Sequence, residues 1–360
     1  MHDVVVIGGG VVGLSVAYEC SRRGLSVVLL DQTQPGREAS WAGAGILPPG
    51  HPGSPLAELS NLSTGLWPRW SAELREETGI DNGYRRCGGL RIPEQSPGET
   101  AAEVDEWRHA GVAADILEQA QIRECEPELA GPGIESACRL PTLAQVRNPW
   151  HLQALIAACA RRGVDIRCGQ PVTGFDEQRG RTRAVLTPGG PVSGHNFVVA
   201  AGAWSQRLLA NSRTSIEIEP IRGQIVLLST HRPLIRHVVE QGPRYLVPRP
   251  DGRTLVGSTE ERAGFHKANT ATAVSGLIAF AVSVVPALAD SRFEQAWSGL
   301  RPRALRGLPY LGRPLNRENL FLAAGHFRDG LKLSPGTAVV LADLLTGQPP
   351  SIDIDRFAID

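Results

Sequence analysis

The chain has 360 residues, 42% of them hydrophobic and 21% charged, enough apolar material for two domains or for one large domain carrying an insertion. Its 37 basic residues balance 37 acidic ones, so no net field draws it to nucleic acid or to an anionic membrane, and a small-molecule partner is expected. Six cysteines are scattered without a Cys-x-x-Cys pair, a spacing that fits neither a zinc site nor a small disulfide framework.

The first apolar run, Val4 to Ile7, is too short to cross a bilayer and runs straight into three glycines. No membrane contact and a cytoplasmic location are the expectation. The run reads as a strand buried on both faces of a parallel sheet. Val11 to Arg23 carries helical periodicity, with Val12, Val16, Ala17 and Cys20 on one face and Gly24 as its closing residue. Val27 to Leu30 is a second strand, ending at Asp31. Pro35 to Pro55 is rich in Gly, Ala and Pro and is expected to hold no regular element. Helices are predicted over Leu59–Glu77 and Glu99–Ala110, and from Pro149 to Arg162. Strands follow at Ile166–Cys168, Pro171–Phe175 and Asn196–Ala200. From Glu219 to Val256 the pattern turns extended, including Gln224–Leu228 and Tyr245–Val247, with Pro-Asp-Gly at 250–252 as a hairpin turn. A helix over Ala271–Val285, strands near Phe293 and Leu320, and a last helix over Ser334–Leu345 complete the chain. No internal repeat or low-complexity tract is evident.

The α/β and strand-rich stretches interleave. That order predicts an α/β nucleotide domain assembled from residues 1–80, 145–210 and 300–360. Residues 81–144 and 211–299 would form a second, substrate-binding domain, so that the whole is α+β.

Gly8-Gly9-Gly10-Val11-Val12-Gly13 satisfies Gly-x-Gly-x-x-Gly between a predicted strand and a predicted helix, with an acidic residue at the end of the next strand. Gly8 permits the tight turn, Gly10 lets the backbone approach a pyrophosphate, and Gly13 lets helix and strand pack closely. The helix start offers free N–H groups to phosphates, and Asp31 offers acceptors to ribose hydroxyls. The motif alone does not separate NAD from FAD. Two features favour FAD: small residues over Arg37–Ile46, where a flat ring system could lie against backbone, and the strand-to-glycine turn at Phe321–His326 leading into a helix.

These motifs make the chain similar to the glycine oxidase and D-amino-acid oxidase family of flavoproteins. The resemblance runs through EASWAGAGILPP at Glu38–Pro49, VVAAGAWS at Val198–Ser205 and YLVPR at Tyr245–Arg249. It continues in WSGLRP at Trp297–Pro302 and AAGHFRDG at Ala323–Gly330, and covers essentially the whole chain. It implies a glutathione-reductase-type FAD-binding Rossmann domain beside a substrate domain built on an antiparallel sheet. It carries flavin contacts over to Val11, Val12, Asp31, Ala44, Gly45, Ile46 and Val172, and to the run His326, Phe327, Arg328, Asp329, Gly330, Leu331 and Lys332. Gln32, Ala39, Ser40, Gly202 and Gly325 join the glycine motif as further cofactor positions. Substrate contacts carry over to Tyr245, Arg301 and Arg328.

Chemistry agrees with those assignments, because a guanidinium grips an amino-acid carboxylate with two parallel hydrogen bonds. The competing readings are a surface ion pair for Arg301, a loop brace for Arg328 and a satisfied core hydroxyl for Tyr245. His326 is expected near the flavin without a catalytic role. Lys332 departs from the apolar residue common in glycine oxidases and matches sarcosine oxidases, whose lysine lies close to the flavin. It could also be a solvated surface residue. The tethering Cys or His of several relatives is missing, so non-covalent FAD is expected.

The implied reaction is oxidation of glycine, sarcosine or D-alanine by oxygen, releasing peroxide and supplying thiamine biosynthesis, in a homo-oligomer that the family makes a tetramer. A D-amino-acid or sarcosine dehydrogenase and a non-catalytic flavin-binding subunit are the alternatives.

Overall fold

Val4, Val5 and Val6 are wholly buried, as a strand covered on both faces requires. The computed structural model describes every residue except positions 52, 95–97, 132, 211, 213 and 360, so the expected domain break at 210/211 adjoins positions outside the described residues. His2–Ile7 lies between Val27–Leu30 and Gly190–Val199, parallel to both. Asp165–Arg167 extends the sheet on one side and Leu320–Ala324 on the other, again in parallel. Alternate side chains feed two cores. Val4 and Val6 pack with the helices Val11–Arg22, Ala57–Thr78, Asn148–Arg161 and Gly330–Leu345, while Val5 and Ile7 pack with Val28, Phe197 and Leu322 on the other face. Each aliphatic side chain so enclosed contributes about 1.5–3 kcal/mol.

A second sheet of eight strands runs in the order Arg292–Ala304, Ile218–Ser229, Arg253–Gly257, Arg244–Pro248, Val238–Gln241, Gly89–Ile92, Ser136–Leu140 and Asp115–Glu118. It is antiparallel as expected, with one exception. Val238–Gln241 pairs in parallel with Gly89–Ile92, because these strands come from distant parts of the chain and no hairpin constrains them. One face is covered by the helix Ala271–Val284, through Leu277, Phe280 and Val284 on Val226, Leu246 and Val256. Ile225, Tyr245, Val247 and Leu255 point to the opposite face.

Local expectations differ in three places. The Pro35–Pro55 stretch contains a helical turn at Ala39–Ala42 and a short strand at Ile46–Leu47, paired with Ala144–Gln145. The strand expected at Pro171–Phe175 begins only at Gly174, since proline brings no N–H to a ladder. The last helix starts at Gly330, and Pro335 lies inside it. Pro335 leaves the Leu331 carbonyl without its helical donor, and the Ser334 hydroxyl donates to that carbonyl at 2.9 Å instead. The Pro-Asp-Gly turn joins Arg244–Pro248 to Arg253–Gly257 as anticipated, with Gly252 at φ 82°.

Candidate functional site

Four parallel strands end on one side of the first sheet, where open α/β sheets bind ligands. Their carboxyl ends, at Ile7, Leu30, Ala200 and Ala324, open into a cavity of about 530 Å3 that reaches the face of the second sheet. Gly8 turns the chain at φ 107° against the Ala200 carbonyl. Gly13 stands away from the cavity, and a methyl there would collide with the Gly8 carbonyl, which is the close helix–strand packing expected of it. At Gly10 an added methyl would crowd, among the described residues, only the Ser40 hydroxyl, at 3.3 Å.

Two long helices begin at this cavity, Val11–Arg22 and Gly330–Leu345, and neither N-cap residue makes a side-chain capping bond. Their N–H groups thus direct partial positive charge into it. Asp31 accepts from the Gly9 N–H at 2.7 Å and the Thr33 N–H at 2.8 Å, which fixes the carboxylate and leaves lone pairs for a ligand. Ser40 accepts from the Val11 N–H at 2.8 Å, joining the Ala39–Ala42 turn to the first helix.

Apart from Gly13, every residue expected at the cofactor lines the same cavity. These are Gly8, Gly10, Val11, Val12, Asp31, Gln32, Ala39, Ser40, Ala44, Gly45, Ile46, Val172, Gly202 and the run Gly325–Lys332. Phe327 takes φ 49°, a left-handed conformation uncommon outside glycine, within the turn that begins the last helix. His326 is buried 3.1 Å from the Thr337 hydroxyl, and burial pushes its pKa down to about 4, so its ring is neutral at pH 7. Lys332 is buried, not solvated, with Nζ 2.8 Å from Asp329.

Tyr245 and Arg301 reach the cavity from the second sheet. Arg301 donates to the Thr259 carbonyl at 3.0 Å and to the Ser258 hydroxyl at 2.7 Å. Both acceptors are neutral. Burial lowers its pKa, and the Tyr245 hydroxyl acts in the opposite sense. Arg328 also lines the cavity, but its guanidinium donates to Glu260 at 2.7 Å.

A family model described as FAD dependent oxidoreductase matches residues 3–344. The chain belongs to the FAD-dependent oxidoreductase family. This flavoprotein is 37% identical to a glycine oxidase of Pseudomonas putida, over 99% of this chain and 98% of the relative. It is 34% identical to a bifunctional protein ThiO/ThiG of Synechocystis, over 99% of this chain and 53% of the relative. The crystal structure of glycine oxidase from Geobacillus kaustophilus superposes with a TM-score of 0.96 at 32% identity, covering 100% of this chain and 98% of the other.

The residues of this oxidoreductase fit FAD. The Gly10 position stays open toward the cavity, the two helix starts supply N–H groups for anionic portions of the cofactor, and Asp31 is set at the end of its strand. Two contributors escaped the sequence reading. Asn148 lines the cavity and donates to the Ser40 carbonyl at 2.8 Å, while its Oδ1 is buried without a hydrogen bond. Its only sequence signal, the Asn-Pro pair, reads as a helix start. Arg249 is buried and donates to the Ala44 carbonyl at 2.8 Å and to Gln145 Oε1 at 2.6 Å, bracing the segment along the cavity. Burial, then the Arg147 and Arg85 charges, push its pKa down to about 9. It stands in the YLVPR motif, in which only Tyr245 drew notice.

Proposed function

We propose that this enzyme oxidises glycine and similarly small amino acids, such as sarcosine and D-alanine. The products are the 2-oxo acid, ammonia or an amine, and hydrogen peroxide, with oxygen as acceptor. The observation that carries this reading is Arg301, a guanidinium held by neutral partners beside Tyr245 on the cavity wall. A substrate carboxylate would complete its charge balance.

FAD, when bound, would supply the acceptor for the hydride leaving the α-carbon and the route for its electrons to oxygen. The protein's own part is binding and orientation. Arg301 grips the carboxylate with parallel hydrogen bonds, and the Tyr245 hydroxyl adds a donor from the neighbouring strand. Fixing the carboxylate fixes the α-carbon, which is where positioning lowers the barrier. In this reading Gly8, Gly10, Val11, Val12, Asp31, Gln32 and Ser40 hold the nucleotide half of FAD. Ala44–Ile46, Val172, Gly202 and Gly325–Lys332 surround the rest, with the Lys332 ammonium held there by Asp329.

The strand distribution supports a discontinuous FAD domain of residues 1–80, 145–210 and 300–360 beside a substrate domain of residues 81–144 and 211–299, with the last boundary moved from 300 to Ala304, because the strand Arg292–Ala304 runs across it. No helix among the described residues is long and apolar enough to cross a membrane. The family resemblance favours non-covalent FAD, a role in thiamine biosynthesis and a cytoplasmic homotetramer.

Arg301→Ala tests the reading. Losing one partner of a desolvated charge pair costs about 2–5 kcal/mol, so kcat/KM for glycine should fall at least about thirtyfold with FAD still bound. Near-normal efficiency would place the carboxylate elsewhere.

A further inference from the structure

We propose that Glu260 restricts the substrate to a single carboxylate by occupying Arg328, an inference that rests on the amino-acid oxidase reading above. Three guanidiniums line the cavity wall, Arg91, Arg301 and Arg328. Arg91 is paired with Glu103 at 2.6 Å and Glu240 at 3.7 Å, and three consecutive residues divide the other two. The Ser258 hydroxyl and the Thr259 carbonyl hold Arg301 without neutralising it. Glu260, the next residue, pairs with Arg328 at 2.7 Å, while the second Arg328 donor reaches the Pro243 carbonyl at 3.4 Å. One cation is left open for a carboxylate and the other is closed.

Both members of the closed pair lie within electrostatic reach of the open one. The Arg328 charge lowers the Arg301 pKa, and the Glu260 charge raises it. A second carboxylate on the substrate would therefore meet a guanidinium already paired and the Glu260 charge beside it. Like charges brought together exclude a ligand more sharply than a missing contact does.

Arg328 and Glu260 are each more than a third exposed, so their pair contributes little to folding and can be altered without unfolding the protein. The test uses the FAD-loaded enzyme and two carboxylates that it cannot oxidise, acetate and malonate, with Kd read from the change in flavin absorbance. The wild type should bind acetate more tightly than malonate. Glu260→Gln should tighten malonate binding about tenfold or more, the scale of a single charge contact of ~1.4 kcal/mol, with acetate moving less than about threefold. Glu260→Met should do the same, and Glu260→Gln combined with Arg328→Gln should lose the gain.

An unchanged malonate-to-acetate ratio in both single variants, or a gain that persists in the double variant, overturns the role of Glu260. Arg301→Ala separates this from failure of the underlying reading, because it should abolish acetate binding. Acetate binding that survives in Arg301→Ala, or a wild-type spectrum silent to both probes, overturns the carboxylate site and this inference with it.

Discussion

Arg301 and Tyr245 each lie across a glycine of a neighbouring strand. The Arg301 guanidinium covers Gly223, where an added methyl would overlap it, and the Tyr245 ring covers Gly257, where a methyl would sit 2.5 Å from ring carbons. Gly223 lies in mid-strand and Gly257 ends its strand, and what each supplies is room for a side chain to lie flat and aim along the sheet. Gly223→Ala should lift the guanidinium from its place, raising KM for glycine and the acetate Kd about tenfold or more (~1.4 kcal/mol), with kcat at saturation and FAD content much less affected. An unchanged acetate Kd would show that Arg301 finds the same position without Gly223. Arg301 itself was legible, because Gly-Leu-Arg-Pro is a motif that local sequence carries. Gly223 and Gly257 were not, since their meaning depends on a side chain that meets them only across a strand pairing.

At the scale of elements, legibility follows the distance over which an element is stabilised. His2–Ile7, Val11–Arg22 and Val27–Leu30 declare themselves within thirty residues through apolar runs, periodicity and glycine punctuation. Gly89–Ile92, Asp115–Glu118 and Ser136–Leu140 are four or five residues long, mix charged with apolar side chains, and exist by pairing with one another and with Val238–Gln241. Nothing local marks them. Ile46–Leu47 is the extreme case, two residues whose cavity-lining segment is held by Arg249 from the other sheet. Arg249→Met would leave the Ala44 carbonyl and the Gln145 side chain without their donor, and each unmet buried acceptor costs about 1–3 kcal/mol. The apoprotein should lose ~3 kcal/mol of stability and bind FAD more weakly. Equal FAD affinity in the variant would mean that the segment keeps its course without the guanidinium.

For the whole molecule, the interleaving of α/β and strand-rich stretches conveyed two sheets, but not the burial that governs how the protein responds to acid. Two histidines are enclosed in neutral form. His151 contacts Trp67 and lies 3.2 Å from the Asn82 amide, and burial pushes its pKa down to about 3; His326, at the cavity, is pushed down to about 4. In the unfolded chain both would titrate near 6.5. Below that pH the unfolded state takes up protons that the folded state refuses, so stability is full above about 6.5 and is lost as pH falls toward 4. At pH 5 the solution lies about 1.5 units below the unfolded pKa of each ring, which amounts to about 2 kcal/mol apiece at ~1.4 kcal/mol per unit. The FAD-loaded enzyme should therefore melt at a distinctly lower temperature at pH 5 than at pH 7. His151 does not line the cavity, so His151→Gln isolates its share without touching the cofactor's surroundings. Whatever Tm the variant starts from, its further drop between pH 7 and pH 5 should be smaller than that of the wild type. An equal drop in both proteins would mean that His151 accepts its proton in the folded state and that the acid sensitivity arises elsewhere.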